Sequence, residues 1–381
     1  MPGPLRFVSQ HPEGRMMFDL NSLVRPNVRR MRPYSSARSE FAGEAEVFLD
    51  ANENAYGSPA GGGWNRYPDP RQSDLKNKIS AMRGVAADQI FIGNGSDEAI
   101  DLLFRIFCEP GVDECIICPP TYGMYQVSAD LNDVAVREVG LTGSFQLDTG
   151  SILAAANERS KLIFICSPNN PTGNLMRRDD VLQIARAFSG IVVIDEAYID
   201  FANEPSMIAE LGRLPNIVVL QTFSKAWGMA GLRVGMAFSN REVIGLFDRV
   251  KPPYNVSGIA QSEVADSLSL TQRVESSIAN IINERRRMAR SLSSLDCVNE
   301  VFPSDANFLL VRTTDAAAIY SHLVEQKIVV RDRSRVTQCE GCLRITIGTP
   351  AENDRLLSAL AVYPTLQRPE DELLPILSGG I

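Results

Sequence analysis

The sequence predicts an α/β protein in which a large unit, built on a mostly parallel sheet covered by helices, precedes a smaller α+β unit. Three observations carry this. From about residue 74 to residue 239, short apolar runs bounded by turn residues alternate with amphipathic segments, the pattern of strand-helix-strand crossovers. After Pro252-Pro253 the pattern changes to long helical stretches and then to a second set of strands and helices. The chain has 381 residues, 44% hydrophobic and 22% charged, ordinary usage for a globular protein of two packed units.

Taken in order, 161–166, 191–195 and 217–221 read as buried strands, and apolar residues at helical spacing over 177–188 supply the crossover between the first two. Such crossovers are right-handed and leave loops at the carboxyl ends of the strands, where ligands bind. Helices are expected over 257–268 and 272–295, and strands over 307–312, 328–331 and 343–347. The resulting division is an N-terminal arm at 1–40, a large domain at 41–255, a small domain at 256–364 and a polar, proline-broken tail at 365–381. No repeat or low-complexity tract interrupts it, and Gly61-Gly62-Gly63 reads as a loop.

Composition excludes several function classes. A net charge of −8 gives no general attraction to phosphodiester backbones. The arginine-rich stretches at 28–32 and 331–335 are local exceptions, and Arg29, Arg30, Arg333 and Arg335 read as solvated basic faces. No apolar run approaches the roughly 20 residues of a membrane span, and residues 1–20 lack the order of a secretory signal, so a cytoplasmic location is expected. The seven cysteines include two Cys-x-x-Cys spacings. Cys115 and Cys118 flank a strand-like Ile116-Ile117, where odd spacing sends the thiols to opposite faces, and all seven are expected to act as small, reduced apolar residues. With only His11 and His322, a histidine-based metal site or a Ser-His-Asp triad has almost no material.

The chemistry-bearing residues cluster after strands. Gly93-Asn94-Gly95-Ser96-Asp97-Glu98 is a glycine-rich turn entering a helix whose apolar face is Ile100, Leu103, Phe104 and Phe107, and free N–H groups at such a terminus suit a phosphate. Glu98 stands where a dinucleotide fingerprint requires glycine or alanine, and simple N-capping by Ser96 or Asp97 is the plainer reading of this segment alone. Ser167-Pro168-Asn169-Asn170-Pro171-Thr172-Gly173, Asp195-Glu196-Ala197-Tyr198 and Thr222-Phe223-Ser224-Lys225 then follow three successive strands, with Arg233 a short step beyond. Three polar groups at one sheet edge describe one site. If the ligand is pyridoxal phosphate, Lys225 can join its aldehyde and Asp195 can keep its ring nitrogen protonated.

These motifs resemble the fold-type-I aminotransferases. The resemblance implies a mostly parallel seven-stranded sheet and pyridoxal phosphate as cofactor, with Lys225, Asp195 and Tyr198 as catalytic residues. It also implies that Asn170 and Tyr198 bond the cofactor's phenolic oxygen, that Tyr122 stacks on its ring, and that Ser96, Asp97, Thr222, Ser224 and Arg233 surround its phosphate. Tyr67 in Asn65-Arg66-Tyr67-Pro68 matches a tyrosine supplied by a neighbouring subunit, which implies a homodimer with shared sites. Trp227 stands where phenylalanine is common, and an aromatic neighbour of Lys225 is expected to be tolerated.

Five further segments resemble the histidinol-phosphate aminotransferase branch: Leu49-Asp50-Ala51-Asn52-Glu53-Asn54, Phe107-Cys108-Glu109-Pro110-Gly111, Pro119-Pro120-Thr121-Tyr122-Gly123-Met124-Tyr125, Gly341-Cys342-Leu343-Arg344-Ile345-Thr346 and Arg32-Pro33-Tyr34-Ser35-Ser36-Ala37-Arg38. The implied donor is a phosphate monoester without a carboxylate, and a dianion calls for more than one arginine. By family position Arg331 and Arg344 are that pair, Tyr34 adds a hydroxyl and Asn52 joins the substrate-binding set, while Arg344 also receives the carboxylate of glutamate. An aromatic-amino-acid aminotransferase or a threonine-phosphate decarboxylase of the same fold would share every cofactor residue. A non-catalytic pyridoxal-binding regulator is opposed by Lys225, Asp195 and Tyr198, and by the lack of a DNA-binding segment.

Overall fold

The computed structural model describes residues 18–34 and 46–363; His11, Ser35 to Arg38 and the tail at 365–381 lie outside the described residues. Seven strands form the main sheet: β1 (Ile90–Asn94), β2 (Glu114–Ile117), β3 (Ala135–Glu138), β4 (Ser160–Cys166), β5 (Ile191–Asp195), β6 (Ile217–Thr222) and β7 (Val234–Phe238). Their order is β1-β7-β6-β5-β4-β2-β3. The run from β3 to β6 is parallel, and β7 alone lies antiparallel to its neighbours β6 and β1. The three strands expected from the sequence are β4, β5 and β6, joined in part by the expected crossover helix, Arg178–Ala187.

Period-two alternation assigns the strand residues to two cores. Ile163, Ile165, Val192 and Ile194 pack with Val181 and Ile184 of the crossover helix on one side of the sheet. Leu162, Phe164, Ile191 and Val193 pack with Ile100, Leu103 and Phe104 of helix Gly95–Phe107 on the other. Cys115 joins the second core and Cys118 the first, the opposite faces that their spacing requires. All seven cysteines are buried and free, and burial pushes the thiols of Cys115 and Cys118 up to about 12, so they stay protonated. Among the described residues no group of His, Cys, Asp and Glu could hold a metal ion, and no helix is long and apolar enough to cross a membrane.

The second sheet is antiparallel, β10-β11-β9-β8, from β8 (Val298–Val301), β9 (Phe308–Thr313), β10 (Arg331–Asp332) and β11 (Cys342–Thr346). Alternation on β11 gives this sheet two tasks. Leu343 and Ile345 face a core shared with Met288, Leu292, Ile319 and Leu356. Cys342, with Leu310 of β9, instead joins the large domain's core. The strand expected at 328–331 pairs only from Arg331, because Lys327 takes a left-handed turn (φ 59°) and Ile328 N–H still bonds Leu323 O at 2.8 Å. Helix Gly258–Ser267, which a boundary after residue 255 puts in the small domain, buries Ala260, Val264 and Ala265 in the large domain's core. Of the N-terminal arm, Val24 and Val28 pack into the large domain, and Arg29 and Arg30 are exposed as expected.

Candidate active site

The carboxyl ends of β4, β5 and β6 open onto one cavity of about 510 Å³, closed on the opposite side by the small domain. Ser96, Asp97, Tyr122, Asn170, Asp195, Tyr198, Thr222, Ser224, Lys225, Arg233, Arg331 and Arg344 all line it. Parallel strands make this possible, since each delivers its next residues to the same edge.

At the cavity floor Asp195 ends β5, buried but for the face it turns to the cavity, accepting the Tyr125 hydroxyl at 2.8 Å and the Ala197 N–H at 3.1 Å. Burial holds its carboxyl above the ordinary range, although both hydrogen bonds pull the other way. Among the described residues no cation is in salt-bridge contact with it. Tyr125 is the partner that sequence reasoning missed: it is quoted in a motif, but only its place one turn beyond Tyr122 could have suggested that its hydroxyl reaches Asp195 from beneath the cavity floor. It is itself fixed by stacking on Phe164 at 4.8 Å, which stacks in turn on Phe104 at 5.3 Å. The hydrophobic core thus sets the position of a charged group.

Lys225 follows β6 in the loop to β7, its Nζ 5.5 Å from the centre of the Tyr198 ring. Burial and the Arg344 charge lower its pKa, which raises the fraction present as free amine. Tyr198 is buried edge-on to Phe308 of the small domain, ring centres 5.2 Å apart. Phe223 and Trp227, on either side of Lys225, form an edge-to-face pair at 5.5 Å, so tryptophan is accommodated there.

The third side of the floor is a hydroxyl-rich cradle. Thr222 Oγ1 donates to Ser224 Oγ at 3.0 Å, Arg233 Nη1 reaches Ser224 Oγ at 3.3 Å, and Arg233 Nη2 lies 3.4 Å from Asp97 Oδ2. Tyr122 donates to the other Asp97 oxygen at 3.1 Å. Helix Gly95–Phe107 begins here with Asn94 as cap residue, without a side-chain cap bond. Ser96 and Asp97 therefore sit inside the first turn, and the plainer reading of them as N-caps does not hold. Glu98 instead anchors the cap residue, accepting the Asn94 N–H and an Asn255 side-chain N–H at 3.1 Å. Two glycines permit the close approach: a Cβ on Gly95 (φ +74°) would meet Arg233 Nη2 at 2.6 Å, and one on Gly235 would meet the Ser96 backbone nitrogen at 2.2 Å.

Opposite the cradle stand the arginines of the small domain. Arg344 of β11 donates to Asn170 Oδ1 and lies over the Phe308 ring at 5.3 Å. Arg331 is its direct partner across the β10–β11 pair. Arg333, expected on a solvated face, is a correction: it continues the extended chain by one alternation from Arg331 and turns into the cavity. Arg335 remains exposed. Tyr34, 77% exposed, and Asn52, also exposed, are not brought to the cavity by the single chain. Tyr67 is 51% exposed and stacked on Tyr254 at 4.5 Å, likewise outside it.

A buried acid without a cation, a lysine with a depressed pKa, a hydroxyl and guanidinium cradle at a helix N-terminus, and facing arginines suit a ligand that carries a cationic ring nitrogen, a carbonyl and a phosphate. The comparisons with known proteins agree. Residues 40–360 match the family model of aminotransferase class I and II. Histidinol-phosphate aminotransferases of Cytophaga hutchinsonii and Parabacteroides distasonis are each 52% identical, over 91% and 90% of this chain and 100% and 99% of theirs. The structure of histidinol-phosphate aminotransferase from Sinorhizobium meliloti in complex with pyridoxal-5'-phosphate superposes with a TM-score of 0.73 at 26% identity, covering 82% of this chain and 88% of that one. L-threonine-O-3-phosphate decarboxylase from Porphyromonas gingivalis, at 24% identity and a TM-score of 0.67, shares the fold. With the family model spanning most of its length and half its residues shared with such relatives, the chain belongs to the class I and II aminotransferases, in the histidinol-phosphate aminotransferase branch.

Proposed function

We propose that the protein is a pyridoxal-phosphate-dependent histidinol-phosphate aminotransferase. It exchanges an amino group between L-histidinol phosphate and 2-oxoglutarate, giving imidazole-acetol phosphate and glutamate, and so serves histidine biosynthesis. The observation that carries the reading is one cavity with Lys225 and Asp195 on its floor and three arginines on its far wall. It works as a cytoplasmic homodimer in which Tyr67 crosses into the partner's site; exposure of Tyr67 outside the single-chain cavity supports that assignment.

Pyridoxal phosphate fits these residues, and when bound it supplies an electron-accepting ring and an aldehyde carbon that can take up an amino group. Asp195 would face the ring nitrogen and hold its proton, while the Tyr125 hydroxyl holds Asp195. Asn170 and Tyr198 would serve the phenolic oxygen, Tyr122 would cover the ring, and the cradle of Ser96, Asp97, Thr222, Ser224 and Arg233 would take the phosphate, all of them lining the cavity. Lys225 is the base that removes the proton from the substrate Cα, for which a lowered pKa is suited. Arg344 binds the substrate anion in both half-reactions and Arg331 the phosphate of histidinol phosphate, with Tyr34 and Asn52 as further substrate contacts. The test is a substrate panel with the purified holoenzyme, scored for ketone, glutamate and carbon dioxide. Carbon dioxide release marks a decarboxylase, and preference for aromatic amino acids over histidinol phosphate marks an aromatic aminotransferase; either overturns the reading.

A further inference from the structure

Arg333 is the charged cavity residue to which the reaction so far gives no task. Its backbone N–H bonds Cys342 O at 2.9 Å, which extends the β10–β11 ladder by one residue and leaves Arg331 and Arg333 on the same face of the extended chain. Asp332, between them, belongs to the opposite face by strand alternation and accepts the Ser334 N–H at 2.8 Å. The Arg333 Nε is buried without a hydrogen-bond partner, and among the described residues none of Arg331, Arg333 and Arg344 has a carboxylate in ion-pair contact. Burial, and after it repulsion from Arg344 and Arg331, lowers the pKa of Arg333. Three guanidiniums gathered with no carboxylate in ion-pair contact, one with an orphaned donor, describe a site for a multiply charged anion.

We propose that Arg333 is a third phosphate-binding residue of the substrate site, and that it favours dianionic phosphate monoesters over monocarboxylates. The inference rests on the function proposed above. Arg344 suffices for a carboxylate, whose two oxygens one guanidinium fork can satisfy, whereas a phosphate has three terminal oxygens and a second charge to be met. The third guanidinium therefore adds to one substrate class and little to the other. Val336, in the same turn, lines the cavity as well, so the segment that carries Arg333 also forms part of the wall.

The experiment uses the holoenzymes of the wild type, Arg333→Gln and Arg333→Lys. Single half-reactions with L-histidinol phosphate and with L-glutamate are followed on the cofactor absorbance, and inorganic phosphate is measured as a competitor of glutamate. Arg333→Gln is expected to lower the apparent second-order constant for histidinol phosphate by about tenfold or more, to lower that for glutamate far less, and to weaken inorganic phosphate by a similar factor of about ten. Arg333→Lys should recover part of the loss. Equal losses with both donors, or phosphate inhibition that Arg333→Gln leaves unchanged, overturn the proposal. If the wild type ignores histidinol phosphate while inorganic phosphate still competes through Arg333, the third anion contact stands and the assigned substrate falls.

Discussion

Arg331 and Arg344 stand directly opposite each other in the antiparallel β10–β11 pair, two like charges on facing positions of a ladder. Such an arrangement is destabilising without a counter-charge. The pair faces the cavity, and in the proposed function the substrate supplies the missing negative charge. Arg331→Ala should impair the histidinol phosphate half-reaction by on the order of 2 kcal/mol, about thirtyfold, and the glutamate half-reaction much less. Arg344→Ala should impair both. Cofactor absorbance should persist in each variant, and equal losses for the two donors in Arg331→Ala count against its selective role.

Lys225 is expected to carry the cofactor. Borohydride trapping of the holoenzyme, followed by peptide mapping, should put the pyridoxyl group on Lys225; a label on another lysine removes the assignment.

Asp195 makes a prediction about stability. Its ordinary pKa of 3.8 is raised by burial in the folded chain. Between 3.8 and the raised value the folded state keeps a proton that the unfolded state has lost, so stability falls as pH rises through that window, and the full penalty remains above it. At pH 7 the cofactor-free Asp195→Asn protein should therefore be more stable than the cofactor-free wild type. The same substitution should abolish most transamination. Denaturant melts of both apoproteins check the sign, and a less stable Asp195→Asn apoprotein contradicts it.

Tyr125→Phe removes the strongest of the bonds that favour the charged Asp195. Its acid limb of kcat against pH should move upward, with kcat reduced more than KM rises, because the loss concerns the reacting ring and not the substrate anion. An unmoved limb would assign Tyr125 to packing alone.

Tyr67 should act across a subunit boundary. Mixing an inactive Lys225→Ala subunit with an inactive Tyr67→Ala subunit should restore some activity, since one hybrid site has both groups intact. Heterodimers that form yet stay inactive would rule out shared sites.

The cofactor end of the site was legible because parallel strands place their last residues side by side, so Asp195, Lys225 and Asn170 could be joined from three separate motifs. Arg333 was not, because a charge-rich stretch reads as surface until the β10–β11 ladder shows which alternate residues turn inward. β8 went unread for a related reason: Val298–Val301 is short and only half buried, and its central Asn299 and Glu300 hide the strand signal. Tyr34, Asn52 and Tyr67 depended on a resemblance, since nothing local in the single chain draws them to the cavity.

The close contact between Gly235 and the start of helix Gly95–Phe107 has a consequence for how the protein can vary. With a hydrogen as its side chain, β7 lets the Ser96 nitrogen come to 2.2 Å from where a Cβ would stand. Even alanine at 235 would collide with the backbone of Gly95 and Ser96 and push the helix terminus from the sheet. If the cradle takes the cofactor phosphate as proposed, cofactor retention depends in part on a residue with no functional group, and a mutational survey scored only by chemistry would overlook it. A Gly235→Ala protein could keep every named side chain and still release its cofactor on dilution.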